Sequence, residues 1–205
     1  MMLEIFNDKI SDDTLVMLRN QFDNLKNTKE FDDRYFDEDM LQWERICIND
    51  VDPILTSKIQ KILNEVGANL VHREYIFFVR CYYPASIHVD VTDSSHGNTY
   101  IIPLTFNEDI KTVVFKNNTT LAEFNKLIDF YSKVSFIARS KLSETINLDH
   151  CWGNKPNIVD VLKLDGYAEW TKGTIIKFAR QQIHTSSNFK TLNLEYKDYI
   201  LCHSP

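Results

Sequence analysis

The sequence predicts an α+β fold that is mainly β, in which helices near the N-terminus support a rolled double sheet. Helical periodicity is confined to about the first 70 residues, whereas short strand patterns separated by turn signals continue from there to about residue 201. The chain of 205 residues, 43% of them hydrophobic, is long enough to bury the core of one domain. With 5 Gly and 5 Pro, long disordered stretches are not expected.

Two amphipathic helices are predicted in the N-terminal part. Ser11 can cap the first, which extends to about Leu25. The apolar stripe of this helix consists of Leu15, Leu18, Phe22 and Leu25. The second helix begins at Pro53, which suits a first helical turn, and ends at about Val66, before Gly67. We expect both helices to brace one side of a sheet.

Strand patterns rich in aromatic and β-branched residues fill most of the remaining chain. The predicted strands are 75–83, 87–91, 99–106, 111–115, 158–164, 167–170, 174–178 and 191–201. Within 119–137, Thr119 or Thr120 could cap a further helix. The polar, irregular segment 138–157 is interpreted as an insertion that covers a site.

This order of elements predicts a double-stranded β-helix, also called a jelly roll, buttressed by N-terminal helices. The sequence contains no internal repeat and no linker that would split the chain. We therefore predict a single domain over 1–205, with a helical buttress at about 1–70 and a jelly-roll core at about 71–201.

Charge, cysteines and hydropathy argue against several functions. A net charge of −6 gives no basic footprint, so nucleic acid and membranes are not expected partners. The acidic run 31–39 is interpreted as a solvated face or loop. No stretch reaches the ~20 apolar residues of a membrane span, and no signal-peptide pattern is present. The cysteines, which form no CxxC pair, are Cys47, Cys81, Cys151 and Cys202. A cytoplasmic protein with reduced thiols is predicted; the oligomeric state cannot be read.

The most informative motif is His88-Val89-Asp90, followed much later by His184. In a strand, residues i and i+2 point to the same face, so His88 and Asp90 can converge on one ion. A late strand of a jelly roll can bring His184 beside them. Two imidazoles and one carboxylate, with the opposite face open, are the donor set of a non-haem iron(II) site. Zinc is possible with the same ligands, although no HExxH-type general base is nearby.

These residues resemble the iron(II)- and 2-oxoglutarate-dependent dioxygenases over about 75–201, in the order HxD strand, insertion, Gly-led strand ending in His. The segment 81–84 before the motif is similar to prolyl-hydroxylase-like members. The segment 170–189, and 148–150 upstream of it, resemble a bacterial and phage group of these oxygenases with few known substrates.

The resemblance implies the cofactors and the reaction. Iron(II) would be held by His88, Asp90 and His184, the residues that would be catalytic. 2-Oxoglutarate would be a cosubstrate beside dioxygen, with ascorbate as an optional addition. Oxidative decarboxylation would drive hydroxylation of an unactivated C–H bond in a small molecule, an amino acid or a protein side chain; the metal carries the chemistry and the protein positions the parts.

The far carboxylate of 2-oxoglutarate requires a cation in a confined pocket. The resemblance points to a basic residue that opens the strand after the last ligand, about ten positions on. Lys190, six positions after His184, is our candidate, with Arg80 and Arg180 as alternatives. The hydroxyls that could reach the same pocket belong to Tyr82, Thr99 and Tyr100.

The remaining histidines are interpreted as non-ligands. They are His72, His96, His150 and His203, of which His150 is the one expected nearest a substrate.

Two other functions remain open. One is nucleic-acid demethylation by the same chemistry, which the acidic balance and the absence of Arg in 185–190 disfavour. The other is a non-catalytic, cupin-like barrel that binds a metal or ligand, which an intact set of three ligands disfavours.

Overall fold

The structure is a computed structural model of the chain. It describes residues 2–28, 31, 33–37, 40–49, 51–70, 76–85, 87–90, 97–120, 122–126 and 162–204. The expected insertion 138–157, most of the predicted strand 158–164, and His72, His96, His150 and Cys151 lie outside the described residues. None of the helices in the described ranges is both long enough and apolar enough to cross a membrane.

Strands dominate the described chain after two N-terminal helices. The elements are β1 (Glu4–Phe6), α1 (Asp12–Thr28), β2 (Asp33–Asp37), β3 (Met40–Cys47), α2 (Pro53–Asn64), β4 (Ile76–Cys81), β5 (Asn98–Pro103), β6 (Asn107–Asn118), β7 (Leu164–Trp170), β8 (Ile175–Ala179), β9 (Gln182–Ser186), a 3-10 helix (Phe189–Leu192) and β10 (Lys197–Ser204). Both helices thus lie where the sequence predicted them.

The strands form two antiparallel sheets. Within the described residues, the larger sheet has the order β1-β8-β5-β10-β4-β3-β2 and the smaller has the order β7-β6-β9. Along the chain, β5 lies in the larger sheet, β6 and β7 in the smaller, and β8, β9 and β10 then alternate between the two. This winding is the jelly roll that the sequence predicted.

Local signals explain the helix boundaries. The Ser11 hydroxyl accepts a hydrogen bond from the backbone N–H of Thr14 at 3.3 Å, as expected for a helix cap. Asp52 caps α2 in the same way through the N–H of Leu55 at 2.9 Å. Beyond α2, Gly67 adopts φ 79, the left-handed conformation that ends helices at glycine.

The larger sheet has two chemically different faces because its side chains alternate. Its outer face carries Phe78, Tyr100, Ile102 and Ile200, which pack with the apolar stripes of α1 and α2 in one core cluster. The ring of Phe22 in α1 stacks on that of Phe78 at 5.0 Å. The inner face looks toward the smaller sheet and carries the polar side chains described below.

The N-terminal part contains a hairpin that the sequence did not predict. The acidic run forms β2, which pairs with β3 and extends the larger sheet past β4. Asp33 pairs with Arg45 at 2.7 Å, and Arg34 pairs with Glu44 at 3.2 Å. The run was interpreted as a solvated face or loop: residues 33–36 are exposed to solvent, but 33–37 form a strand and not a loop. The region before residue 70 therefore supplies strands as well as helices.

Candidate metal centre

Backbone pairing brings the two parts of the motif together. His88 and His184 form an antiparallel bridge in which each backbone N–H donates to the other's carbonyl at 3.0 Å. Asp90 is fixed next to this bridge because its N–H donates to the carbonyl of Arg180 at 3.1 Å. The segment around His88 therefore behaves as a short strand beside β9, although it is not part of a named strand.

Three donor atoms converge at this point. The Nε2 atoms of His88 and His184 lie 3.6 and 3.5 Å from Oδ1 of Asp90, and the possible ligand atoms of the three residues lie within 4.8 Å of one another. Donors bound at about 2.1 Å to one divalent ion are roughly 3 to 3.4 Å apart. The spacing and the donor set of two imidazoles and one carboxylate therefore fit a small transition-metal ion.

The protonation states suit a metal as well. Burial lowers the pKa of the His184 imidazole, although the Asp90 carboxylate opposes this effect. Burial would raise the pKa of Asp90, but the neighbouring imidazoles and the Thr99 hydroxyl outweigh it, so the pKa is lowered. Since Nδ1 of His184 lies 3.0 Å from the carbonyl of Gln182, which can only accept, this nitrogen carries the hydrogen. The lone pair of Nε2 is then left for an ion.

The three ligand candidates line a cavity of about 280 Å³ between the two sheets. This volume is close to the lower end of the range for small-molecule sites. The inner face of the larger sheet contributes Trp43, Arg45, Cys81, Lys197, Tyr199 and His203. The smaller sheet contributes Thr112, Trp170, His184, Thr185 and Ser186. Among these side chains, the sequence predicted His184 as a metal ligand and His203 as a non-ligand.

Besides Arg45, which pairs with the Asp33 carboxylate at 2.7 Å, the cavity is lined by a second cation, Lys197. Its side chain is buried, and its ammonium nitrogen lies 4.2 Å from the centroid of the Trp170 ring and 5.8 Å from that of Tyr199. Burial lowers the pKa of Lys197 to about 8. Within the part of the chain that the structure describes, no carboxylate forms an ion pair with this ammonium. A buried cation that is surrounded by aromatic faces and has no carboxylate partner among the described residues is suited to receiving an anion.

Lys190, the lysine chosen from the sequence, lies elsewhere. Its ammonium donates to the backbone carbonyl of Glu195 at 2.6 Å in an exposed position, and Lys190 is not among the residues that line the cavity. The cause is a strand boundary: 189–192 form a 3-10 helix, so the strand predicted from residue 191 begins only at Lys197. The structure thus places Lys197, and not Lys190, at the wall of the cavity.

Two of the predicted hydroxyl donors also face away from the cavity. The Tyr82 hydroxyl donates to the carboxylate of Glu44, and that of Tyr100 lies 3.5 Å from the carbonyl of Gly67 within the helix-side core. Thr99, by contrast, lines the cavity and contacts Asp90. Adjacent residues of β5 thus point to opposite faces, which explains why Thr99 and Tyr100 separate.

The two alternative arginines, Arg80 and Arg180, already form hydrogen bonds within the protein. Arg80 lies on the outer face and makes two hydrogen bonds with the Asp198 carboxylate, at 2.8 and 2.6 Å. Arg180 lies near the motif, where one guanidinium nitrogen is 3.4 Å from the carbonyl oxygen of Asp90. Neither is among the cavity-lining residues.

Of the predicted non-ligand histidines, the structure describes His203, which lines the cavity 3.2 Å from the Thr99 hydroxyl.

Searches with the sequence alone find no relative: no protein-family model matches the chain, and no curated protein matches it. Comparison of the structure does find similar folds. The chain is similar to the non-heme alpha-ketoglutarate-dependent carbocyclase SnoK from nogalamycin biosynthesis, with a TM-score of 0.63, 11% identity, and coverage of 98% of this chain and 79% of that one.

Two further solved structures carry bound ligands. The epimerase SnoN in complex with Fe³⁺, alpha ketoglutarate and nogalamycin RO matches with a TM-score of 0.62 and 6% identity, over 98% of this chain and 77% of that chain. HygX from Streptomyces hygroscopicus with nickel, 2-oxoglutarate and hygromycin B matches with a TM-score of 0.55 and 10% identity, over 99% and 82%. At these identities the likeness establishes the fold.

Proposed function

We propose that this chain is an iron(II)- and 2-oxoglutarate-dependent oxygenase that acts on a small molecule. The observation that carries the proposal is the meeting of His88, Asp90 and His184 at a cavity that also contains a buried lysine without a carboxylate partner among the described residues. Structures of the same fold that contain iron or nickel together with 2-oxoglutarate support it.

In this proposal the three ligands hold iron(II) on one side. Asp90 supplies the single negative charge, while His88 and His184 supply neutral Nε2 donors, so the ion keeps a positive charge and open positions for other ligands. The hydrogen bond from His184 to the carbonyl of Gln182 orients the ring. When bound, iron(II) with 2-oxoglutarate and dioxygen supplies the oxidising chemistry.

Lys197 has the second role, which is to bind the far carboxylate of 2-oxoglutarate. An ammonium buried among aromatic rings has lost much of its hydration, so an incoming carboxylate gains a strong, poorly screened attraction. Trp170 is held against it by a hydrogen bond from its indole N–H to the Thr112 hydroxyl at 2.9 Å. Thr99 and Tyr199 line the same cavity.

The finer part of the proposal concerns the reaction outcome and the substrate. Hydroxylation of a C–H bond is our expectation, but SnoK is a carbocyclase and SnoN an epimerase, so related folds also perform cyclisation and epimerisation. HygX was solved with hygromycin B, which favours a small-molecule substrate over a protein side chain. Nucleic-acid demethylation remains disfavoured by the net charge of −6.

Metal-dependent binding and turnover test the proposal together. 2-Oxoglutarate is titrated calorimetrically into protein loaded with Ni(II), which binds without turnover, and into metal-free protein. In parallel, succinate is measured with Fe(II), 2-oxoglutarate and dioxygen. We expect binding and succinate release to require the metal, and both to be lost in His184→Ala. Lys197→Met should weaken the binding of 2-oxoglutarate, whereas its matched control, Lys190→Met, should behave as wild type.

The opposite results separate the alternatives. Metal binding without 2-oxoglutarate binding and without succinate, even with candidate substrates, would favour the non-catalytic barrel. A preference for zinc over iron after anaerobic reconstitution, with no binding of 2-oxoglutarate, would favour a zinc site with the same ligands.

A further inference from the structure

The two oxygens of Asp90 have different surroundings. Oδ1 faces the Nε2 atoms of His88 and His184, at 3.6 and 3.5 Å. Oδ2 instead accepts a hydrogen bond of 2.5 Å from the hydroxyl of Thr99, whose side chain is completely buried on β5. One oxygen is therefore directed toward the metal position, and the other is already occupied by a protein donor.

A second hydrogen bond lies behind the first. Nδ1 of His203 is 3.2 Å from the Thr99 hydroxyl oxygen, and the two residues are opposite each other in the register of β10 and β5. A threonine hydroxyl has one hydrogen, which here goes to the carboxylate because an ionised carboxylate can only accept. The hydroxyl oxygen must then accept from His203, so Nδ1 of His203 carries a hydrogen.

We propose that Thr99 and His203 are positioning residues that hold Asp90 as a one-oxygen metal ligand, and that this hydrogen-bonded pair sets the metal affinity of the site. The inference rests on the proposed function to the extent that His88, Asp90 and His184 bind a metal. Because Oδ2 is engaged, Asp90 does not take a second position on the ion, and that position stays open for another ligand.

The geometry favours this role over simple packing. Hydrogen bonds in a chain polarise one another, and the donor directions from His203 through Thr99 all point toward the negative charge of Asp90. His203 lies on the wall of the metal cavity, yet it is not one of the three residues whose donor atoms converge among the described residues. Its ring nitrogen Nδ1 lies within hydrogen-bond distance of the Thr99 hydroxyl.

Matched pairs of substitutions isolate the hydrogen bonds from the packing. Thr99→Val keeps the shape of the side chain but removes the hydroxyl, whereas Thr99→Ser keeps the hydroxyl. His203→Asn keeps a donor near the position of Nδ1, whereas His203→Gln moves it to the position of Nε2. The probe is Ni(II) alone, titrated calorimetrically into each metal-free protein, and the thermal unfolding midpoint of the metal-free protein is recorded beside it.

We expect Thr99→Val and His203→Gln to bind Ni(II) about 10- to 100-fold more weakly than wild type, with Thr99→Ser and His203→Asn within a few-fold of wild type. Loss of affinity at an unchanged unfolding midpoint separates positioning from folding. If Thr99→Val does not fold, the comparison of His203→Gln with His203→Asn tests the inference without it.

Two results would overturn the inference in distinguishable ways. Equal Ni(II) affinity in wild type, Thr99→Val and His203→Gln would show that Thr99 and His203 do not position Asp90, although the protein still binds metal. Absence of Ni(II) binding in wild type would remove the proposed metal centre and this role with it.

Discussion

Arg80 and Lys197 are buried cations at neighbouring positions of the same strand pair. They differ in whether the described part of the fold supplies a carboxylate partner. Arg80 is opposite Asp198 in the pairing of β4 with β10, and Cys81 is opposite Lys197 on the next rung. Arg80, on the outer face, is matched by a bidentate carboxylate. Lys197, on the inner face, has aromatic rings and a thiol around it and, among the described residues, no carboxylate partner.

The comparison separates a structural charge from a binding charge. When the fold supplies both partners of a buried ion pair, breaking the pair affects the stability of the protein, because removing one partner leaves the other charge buried and uncompensated. A buried cation without an anion costs stability, and is retained in proteins when a ligand completes it. The alternation of side chains along β10 places Asp198 on one face and Lys197 on the other, so adjacent residues have different roles in the proposed function.

The largest effect is expected at the complete pair. Arg80→Met leaves the Asp198 carboxylate buried without its partner and should lower the free energy of unfolding by about 3–5 kcal/mol in urea denaturation. Replacing both residues, as Arg80→Met with Asp198→Leu, should recover much of this loss because neither charge is then buried. A loss below about 1 kcal/mol for the single variant would show that the pair is solvent-screened.

Substitution of Lys197, the cation without a carboxylate partner among the described residues, should have the opposite effect on the free energy of unfolding. Lys197→Met should leave the unfolding free energy of the ligand-free protein equal or higher, while the affinity of the Ni(II)-loaded protein for 2-oxoglutarate falls by about 30-fold or more, as for loss of one partner of a buried charge pair. Calorimetry measures the affinity and urea denaturation the stability. Unchanged affinity would reassign the carboxylate to another residue.

The pH dependence sharpens the same contrast. Burial lowers the pKa of Lys197 to about 8, so its ammonium is charged below this pH and loses its proton above it. The affinity for 2-oxoglutarate should fall by about twofold from pH 7 to 8 and then by up to about tenfold per pH unit. Lys197→Arg, which does not titrate in this range, should abolish the decrease. A flat wild-type profile would contradict the role of Lys197.

The smallest effect is expected at the support of the aromatic wall. Thr112→Val removes the acceptor for the indole N–H of Trp170 in the buried interior. We expect a loss of about 1–3 kcal/mol in unfolding free energy and a few-fold weaker binding of 2-oxoglutarate. Thr112→Ser, which retains the acceptor, is the control. A variant as stable as wild type would show that the indole finds another acceptor.

The features predicted correctly from sequence depend on local rules. Ser11 and Gly67 mark helix boundaries through a side-chain cap and a left-handed backbone. The i, i+2 spacing of His88 and Asp90 places both on one face of an extended segment, and the structure brings them to His184. These signals act within a few residues, so the sequence contains them.

The features that were missed have two causes, a pairing between residues distant in sequence and a misplaced strand boundary. The hairpin of β2 and β3 is stabilised by pairs such as Asp33 with Arg45, twelve residues apart, which a charge run does not reveal. Lys197 was missed because the start of β10 was predicted too early; the turn residue Asn193, with φ 58, was the available signal. Alternation from Lys197 to His203 would then have assigned both side chains to the cavity face.

A crystal structure of the protein with Ni(II) and 2-oxoglutarate tests the central claim most directly. We expect an anomalous peak for nickel at about 2.0–2.2 Å from Nε2 of His88 and His184 and from Oδ1 of Asp90, with the far carboxylate of 2-oxoglutarate on the Lys197 ammonium. Nickel bound away from these three residues, or a carboxylate paired elsewhere than Lys197, would contradict it.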